Sequence, residues 1–216
     1  MIEHMIFETR CAGCDTVGAA ICTTCRFALL GPPPQAQHNG VIAAVPFSGR
    51  ARDIVLALKY RNRRQAARHL AGLLVNRLIE HGAHSSIDVV TWAPTSSARR
   101  HGRGFDQGEV IARTVARQLG LPCRRVIERT GPSRAQTGQG RSDRLHGPAF
   151  RSRPGLDGCR VLIIDDVVTT GATLQAAADA VRGAGAADVT LAAVAATPTR
   201  TLAKVVPLHP RVASAA

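Results

Sequence analysis

VLIIDDVVTTGATL, residues Val161 to Leu174, is the stretch that decides the fold of this chain. Its first four residues are all apolar and predict a strand buried on both faces, as strands of a parallel sheet usually are. After the polar turn, Leu174, Ala177 and Val181 recur at helical spacing and predict a helix. A buried strand that turns directly into an amphipathic helix predicts an α/β fold.

The turn between this strand and this helix predicts a site for a sugar 5′-phosphate. The first amides of a helix lack partners within the helix, and together with the helix dipole they attract a phosphate. A glycine lets the backbone approach an anion closely, and threonine hydroxyls add donors. The residues that we predict to bind the phosphate are Val167, Val168, Thr169, Thr170, Gly171, Ala172 and Thr173.

Two carboxylates precede the turn and indicate what else is bound. Asp165 and Asp166 would repel a bare polyphosphate, but they can accept hydrogen bonds from the two vicinal hydroxyls of a ribose. We therefore predict a phosphorylated ribose and treat both residues as candidate catalytic residues. The simpler alternative is that the acids only end a strand and that a threonine only caps a helix. Neither the GxGxxG of a dinucleotide site nor the lysine of a P-loop is present in this segment.

Further apolar segments extend the α/β pattern in both directions. Residues 41–47, 88–94 and 188–196 each predict a short buried strand, and segments with helical periodicity lie between them. Strands that alternate with helices predict a single parallel sheet flanked by helices. With 216 residues, of which 45% are hydrophobic, the chain can bury one sizeable core.

Composition shifts along the chain predict the domain boundaries. Clustered Pro and Gly predict a linker, and a stretch with almost no apolar residues predicts an exposed segment. The predicted units are a cysteine module at 1–30, a linker at 31–40, an α/β domain at 41–198 that contains the exposed segment 129–147, and a loosely ordered tail at 199–216.

Four of the six cysteines form two CxxC pairs near the start of the chain. Seven residues separate the pair Cys11 and Cys14 from the pair Cys22 and Cys25, a spacing that lets four thiolates converge tetrahedrally on one Zn²⁺. Two redox-active pairs are the alternative, but those usually occur in a thioredoxin-like βαβ context. Because a four-thiolate site has no open coordination position, we predict a zinc-ribbon-like module with a structural or interaction role.

The positive charge of the chain is concentrated in its middle. The formal net charge is +13, and residues 50–153 contain 21 basic and 7 acidic residues, a net charge of +14. Such a field suits a pyrophosphate and equally suits a nucleic-acid backbone. Because 26 of the 28 basic residues are arginine, a general composition bias also fits. The charge therefore leaves the nature of the ligand open.

The sequence shows no signal for secretion or membrane insertion. The first ten residues lack the apolar run of a signal peptide, and no later apolar stretch is long enough to span a bilayer. We expect a soluble cytoplasmic protein without membrane insertion.

VLIIDDVVTTGATL resembles the phosphoribosyl pyrophosphate motif of the type I phosphoribosyltransferases, which is a hydrophobic strand, two acids and a Thr-Gly-x-Thr loop. Over roughly residues 11–196, the chain more particularly resembles the ComF family, a group related to a competence factor for DNA uptake. It departs from the RGFNQ pattern of that family at Asp106. The stretches that carry the resemblance are the two CxxC pairs, LALKYRNR at 56–63, RRHGRGFDQGE at 99–109, and the segment with Gln136, Arg144 and Phe150.

The resemblance implies a fold and a set of ligand contacts. The fold is a type I phosphoribosyltransferase-like parallel sheet flanked by helices, with a small N-terminal four-cysteine zinc module. The loop APTSSARRHGRGF, residues 93–105, is implied to bind a pyrophosphate whose oxygens are bridged by Mg²⁺, and residues 129–147 are implied to form a hood over the site. The implied pyrophosphate ligands are Arg99, Arg100 and Arg103, with Lys59 and Arg61 as further candidates.

Three functions follow from these observations. The first is a phosphoribosyltransferase, of the glycosyltransferase class, that transfers the phosphoribosyl group from phosphoribosyl pyrophosphate to an acceptor nucleophile. The second is a single-stranded DNA-binding component of competence or DNA uptake, with a DNA-uptake helicase as partner, in which the fold serves binding. The third is a regulator that senses the metabolite. A homodimer is a further expected assembly.

Overall fold

The computed structural model describes residues 8–31, 40–130 and 148–198. The predicted tail at 199–216 lies outside these residues, as do most of the predicted linker at 31–40 and most of the predicted hood at 129–147.

The described chain alternates helices and strands in the order that the sequence predicts for an α/β protein. Two short 3₁₀ turns, Arg64–Ala66 and Ala83–Ser86, flank the third helix. The helices are α1 Thr23–Phe27, α2 Gly49–Tyr60, α3 Ala67–Glu80, α4 Ser97–Arg103, α5 Gln107–Leu119 and α6 Ala172–Arg182. The strands are β1 Ile42–Pro46, β2 Val89–Trp92, β3 Ile127–Thr130, β4 Ala149–Ser152, β5 Arg160–Val168 and β6 Asp188–Ala196.

Strands β1, β6, β5 and β2 form one parallel sheet in that order. Strand β5 has a neighbour on both sides, and its partner β2 ends where Trp92 lies opposite Ile164. Because all four strands run the same way, the segments that follow β5 and β2 leave the sheet at the same edge. The predicted parallel sheet flanked by helices is confirmed.

The side chains of β5 alternate between two apolar layers. Leu162 and Ile164 pack in one buried cluster with residues of α2, α3 and α5, whereas Val161 and Ile163 pack in a second cluster with residues of α6. All four are at most 1% exposed. Since β5 buries both faces, only its carboxyl end is left to present polar side chains to a ligand.

Two local features differ from the sequence prediction. Strands β3 and β4 form a separate antiparallel pair beside α6, and each has only four residues, too few for a clear period. Helix α4 lies within the predicted loop 93–105, where the sequence SARRHGR offers no apolar periodicity. Ser96 caps α4 by accepting a hydrogen bond from the amide of Arg99, so its polar composition does not prevent a helical turn.

The cysteine unit packs against the α/β core. Ile21 and Cys25 belong to the same buried cluster as Ile54 of α2. Arg50 of α2 donates a hydrogen bond of 2.8 Å to the carbonyl of Gly13 in the first CxxC loop. These contacts hold the cysteine unit against the first half of α2. Within the described ranges, no helix combines the length and apolar character needed to cross a membrane.

Candidate functional site

A cavity of about 460 Å³ opens at the edge of the sheet where β5 and β2 end. It is lined by segments that are far apart in sequence: the end of α2, the loop and helix after β2, the start of α5, strand β3 and the turn after β5. Its polar and charged lining consists of Lys59, Tyr60, Thr95, Arg99, Arg103, Asp106, Gln107, Arg129, Asp165, Asp166, Thr169 and Thr173. The cavity therefore holds candidate ligands for both a sugar and an anion.

Asp165 and Asp166 lie at the end of β5 and are both half-buried. Burial raises the pKa of Asp165 well above its ordinary value, and the neighbouring Asp166 carboxylate raises it further. Lys59 Nζ lies 2.9 Å from Asp166 Oδ1, and both side chains are less than one fifth exposed. The pair therefore consists of one carboxyl whose ionised form is disfavoured by burial and one that forms an ion pair with a lysine.

The turn after β5 has the geometry of an anion-binding loop. Gly171 has a φ of 82°, a left-handed conformation that favours glycine, and it is the N-cap of α6. Thr169 and Thr170 are exposed, whereas Thr173 is half-buried. A small second cavity is lined by this turn, namely by Asp165, Val167, Val168, Thr169, Thr170, Gly171, Ala172, Thr173 and Leu174. All seven residues predicted to bind the phosphate thus surround one recess.

Two of the three arginines that were predicted to bind pyrophosphate line the cavity, and the third does not. Arg99 and Arg103 are four residues apart, so they share a face of the helix, and both line the cavity. Arg100 is exposed and does not line it. Arg129 of β3 lines the cavity as well, and its pKa is lowered by burial and by the positive charge of Arg99. Arginines that line the same cavity and act on each other's charge favour an anion there.

Asp106 anchors the helix that follows these arginines. It is 5% exposed and is the N-cap of α5, accepting hydrogen bonds from the amides of Gly108 at 3.0 Å and Glu109 at 3.4 Å. Its second oxygen accepts a hydrogen bond of 2.9 Å from the amide of Thr95 in the loop after β2. Burial raises the pKa of Asp106, the backbone hydrogen bonds oppose this, and Asp166 adds to the rise. The carboxylate ties the loop after β2 to the start of α5.

Sequence reasoning missed several residues that line the cavity. None of Tyr60, Gln107 and Arg129 was predicted to bind phosphoribosyl pyrophosphate, and Lys59 was only a further candidate. Arg61, the other further candidate, lies in a neighbouring cavity beside the first CxxC loop. The available signal was the stretch LALKYRNR, since its Lys-Tyr pair ends a helix that packs on the sheet. Gln107 lies within the stretch RRHGRGFDQGE, which carried the family resemblance, but only the arginines of that stretch were taken as ligands. Arg129 gave no signal because it belongs to no local motif.

The four cysteines of the N-terminal unit converge as predicted. Their sulfur atoms all lie within 4.8 Å of one another, and Cys14 Sγ lies 3.6 Å from Cys22 Sγ. Burial raises the pKa of the Cys11 thiol, but the amides of Cys22 and Gly13, which donate to its sulfur, bring the net value down to about 6. Four sulfur ligands at about 2.3 Å from a tetrahedral ion lie roughly 3.8 Å apart. The cluster can therefore hold a metal ion.

Comparison with known proteins gives one family match and several relatives that cover most of the chain. Residues 106–207 match the family described as phosphoribosyl transferase domain. The chain is 27% identical over 186 residues to the DNA utilization protein YhgH of Salmonella typhimurium, which covers 83% of this chain and 80% of that protein. The corresponding protein of Escherichia coli strain K12 is 26% identical over 190 residues, covering 84% and 82%.

Among solved structures, the chain is similar to the glutamine phosphoribosylpyrophosphate amidotransferase from B. subtilis, complexed with ADP and GMP. The identity is 23% and the TM-score 0.42, and the match covers 61% of this chain and 26% of that one. This chain thus spans about a quarter of that enzyme. The family and sequence matches agree with the resemblance indicated by VLIIDDVVTTGATL: residues 106–207 match the phosphoribosyl transferase domain, and the relatives that match most of the chain are named DNA utilization proteins.

The raised pKa of Asp165 predicts the pH dependence of an Asp165→Asn variant. A carboxyl whose pKa is raised by folding favours the folded state below its ordinary pKa and loses that contribution as the pH rises through the raised value. In EDTA at pH 7, urea unfolding should show that the variant is more stable than the wild type by roughly 0.5–2 kcal/mol. This gain should shrink as the pH falls towards 4.

Asp88→Asn is the control variant, for which we expect the opposite change in stability at pH 7. The Arg160 side chain holds the pKa of Asp88 at about 2, so this carboxylate stabilises the protein above the ordinary pKa, and the contribution fades as the pH falls towards 2. Asp88→Asn should therefore be less stable than the wild type at pH 7. A loss of stability in Asp165→Asn at pH 7 would contradict the burial of that charge.

Proposed function

We propose that this protein is a phosphoribosyltransferase that binds phosphoribosyl pyrophosphate with Mg²⁺ and transfers the phosphoribosyl group to an acceptor nucleophile. One observation carries the proposal: a single cavity is lined by the two carboxylates, by residues of the threonine turn and by three arginines. Phosphoribosyl pyrophosphate has a group for each of these parts: hydroxyls for the carboxylates, a 5′-phosphate for the threonine turn and a pyrophosphate for the arginines.

The three parts of the ligand have distinct partners in the proposed complex. The 5′-phosphate binds the turn from Thr169 to Thr173, at the start of α6. The ribose hydroxyls face Asp165 and Asp166, directly before that turn. The pyrophosphate lies between the arginines on the opposite side of the cavity.

The residues of the chain favour departure of the pyrophosphate. Arg99, Arg103 and Arg129 offer forked donors to the charge that develops on the leaving group. Asp166, in an ion pair with Lys59, lies on the side of the cavity proposed for the ribose, where a carboxylate stabilises positive charge as the anomeric bond breaks. Mg²⁺ takes oxygen ligands and usually binds through substrate phosphates and one or two carboxylates, a donor set that this cavity offers through its aspartates. When bound, Mg²⁺ would neutralise part of the negative charge of the pyrophosphate.

Calorimetric titration of the protein with phosphoribosyl pyrophosphate in the presence of Mg²⁺ tests the proposal. The wild type should bind, and the double variant Asp165→Asn/Asp166→Asn should bind at least about 100-fold more weakly, since each change removes hydrogen bonds to a charged acceptor. Asp179→Asn, on the exposed side of α6, is the matched control and should leave the affinity unchanged.

Absence of binding by the wild type would refute both the enzyme and the sensor functions. A screen of acceptor nucleophiles for pyrophosphate release separates these two. Release that depends on an acceptor supports the transferase, whereas binding without release in every case favours a regulator that senses the metabolite.

A second candidate function is binding of single-stranded DNA during DNA uptake. The relatives that match most of the chain are named DNA utilization proteins, and two aromatic rings, one of them in the cavity lining, are each in contact with an arginine. The guanidinium carbon of Arg64 lies 4.2 Å from the centre of the Phe105 ring, and that of Arg103 lies 4.8 Å from the centre of the Tyr60 ring. Aromatic rings and arginines together suit stacked bases and a phosphate backbone.

Fluorescence anisotropy with a single-stranded oligonucleotide tests this second function. Binding should weaken steeply as the salt concentration rises, because phosphate contacts release counterions. The variant Asp165→Asn/Asp166→Asn should bind DNA as the wild type does, whereas Arg64→Ala should bind less tightly. No binding at low salt would remove DNA as a direct ligand.

We also propose that the ion held by the four cysteines is Zn²⁺ and that its role is structural. Elemental analysis should give about one zinc per chain, and Cys11→Ser should lose the metal and lower the Tm by roughly 5 °C or more. Cys159→Ser, which changes a cysteine outside the cluster, should keep both the metal and the Tm. A protein that binds no zinc, or whose Tm is unaffected by Cys11→Ser, would contradict this assignment.

A further inference from the structure

Gln107 has an unusual position for a polar side chain. It is the first residue of α5, it is 1% exposed, and it lines the candidate cavity. Its Nε2 atom is buried and has no hydrogen-bond partner among residues 8–31, 40–130 and 148–198. A buried amide donor is rarely left unpaired, because its loss of water is then uncompensated.

The orientation of this amide is set by its oxygen. Gln107 Oε1 accepts a hydrogen bond of 2.9 Å from Arg103 Nη1. Since an arginine can only donate, the Gln107 atom facing it must be the oxygen, and the NH₂ group is the one left without a partner. The neighbouring cap Asp106 fixes the start of α5, so the position of Gln107 relative to the cavity is also fixed.

Among the described residues, none accepts a hydrogen bond from this donor. Both carboxylate oxygens of the neighbouring Asp106 already accept backbone amides, and Asp166 Oδ1 is paired with Lys59. An oxygen of a ligand in the cavity can take the place of the missing acceptor. Arg103 is held beside Gln107 by its contacts with the Gln107 oxygen and the Tyr60 hydroxyl, so the two side chains form a fixed pair of donors. Adjacent amide and guanidinium donors select an anionic oxygen.

We propose that Gln107 is a specificity-determining residue whose Nε2 donates to an oxygen of the pyrophosphate in phosphoribosyl pyrophosphate. The inference rests on the proposed function and adds a neutral donor to the arginines that surround the leaving group. Gln107 thereby distinguishes ligands that carry a pyrophosphate from ribose 5-phosphate, which has only the phosphate bound by the Thr169–Thr173 turn.

Titration of Gln107→Met with three probes in the presence of Mg²⁺ tests this assignment. Methionine has a similar volume but no donor, so the affinities for phosphoribosyl pyrophosphate and for inorganic pyrophosphate should each fall roughly tenfold or more. The affinity for ribose 5-phosphate and the Tm should stay as in the wild type. Unchanged affinity for pyrophosphate, or an equal loss for ribose 5-phosphate, would overturn the proposal.

Two further variants separate a direct contact from an effect through Arg103. Gln107→Glu keeps the oxygen that accepts from Arg103 and replaces the donor by a carboxylate oxygen, so pyrophosphate affinity should fall further than in Gln107→Met. In an Arg103→Ala background, Gln107→Met should still weaken pyrophosphate binding. If it causes no additional loss there, Gln107 acts only by holding Arg103, and the proposed contact is wrong.

Binding of the three probes by the wild type distinguishes failure of this inference from failure of the proposed function. A wild type that binds none of the three probes refutes the proposed function and the inference with it. A wild type that binds all three, with no effect of the Gln107 variants, refutes the role of Gln107 alone.

Discussion

The carboxyls of Asp165 and Asp166 lie where the central strand leaves the hydrophobic core, and the rest of the site depends on how their loss of water is compensated. Strand β5 is covered on both faces, so these groups can turn only towards the cavity at its end. Lys59 reaches Asp166 from α2 and neutralises one charge. The other carboxyl remains destabilised when ionised, which makes it available to a ligand that brings hydroxyl groups or positive charge.

A second buried acid, Asp106, links this strand end to the anion side of the cavity. By accepting amides from Thr95 and from the start of α5, it holds the arginine-bearing helix α4 between two fixed points. Among the described residues, Arg99, Arg103 and Arg129 line the same cavity as Asp165 and Asp166 without forming an ion pair with either acid. A cavity that offers both carboxylates and guanidinium groups suits a ligand that is itself divided into hydroxyl-bearing and anionic parts.

The sequence predicts the elements that have a local periodic pattern. It misses the site residues that only tertiary packing brings to the cavity. Strand β5, helix α6 and the turn between them follow from apolar spacing and a single glycine, and the four cysteines follow from their own spacing. When their segment is treated as a loop, Arg99 and Arg100 are equally good candidates to bind pyrophosphate. In helix α4 they point in different directions, and only Arg99 lines the cavity. Gln107 and Arg129 reach the cavity through packing of α5 and the β3–β4 pair, whose short strands carry no period that a sequence shows.

A crystal structure of the protein with phosphoribosyl pyrophosphate and Mg²⁺ tests the central claim most directly. The account predicts the 5′-phosphate in the Thr169–Thr173 turn, the ribose hydroxyls beside Asp165 and Asp166, and the pyrophosphate between Arg99 and Arg129. A ligand bound with its pyrophosphate in the turn, or bound outside this cavity, would contradict it.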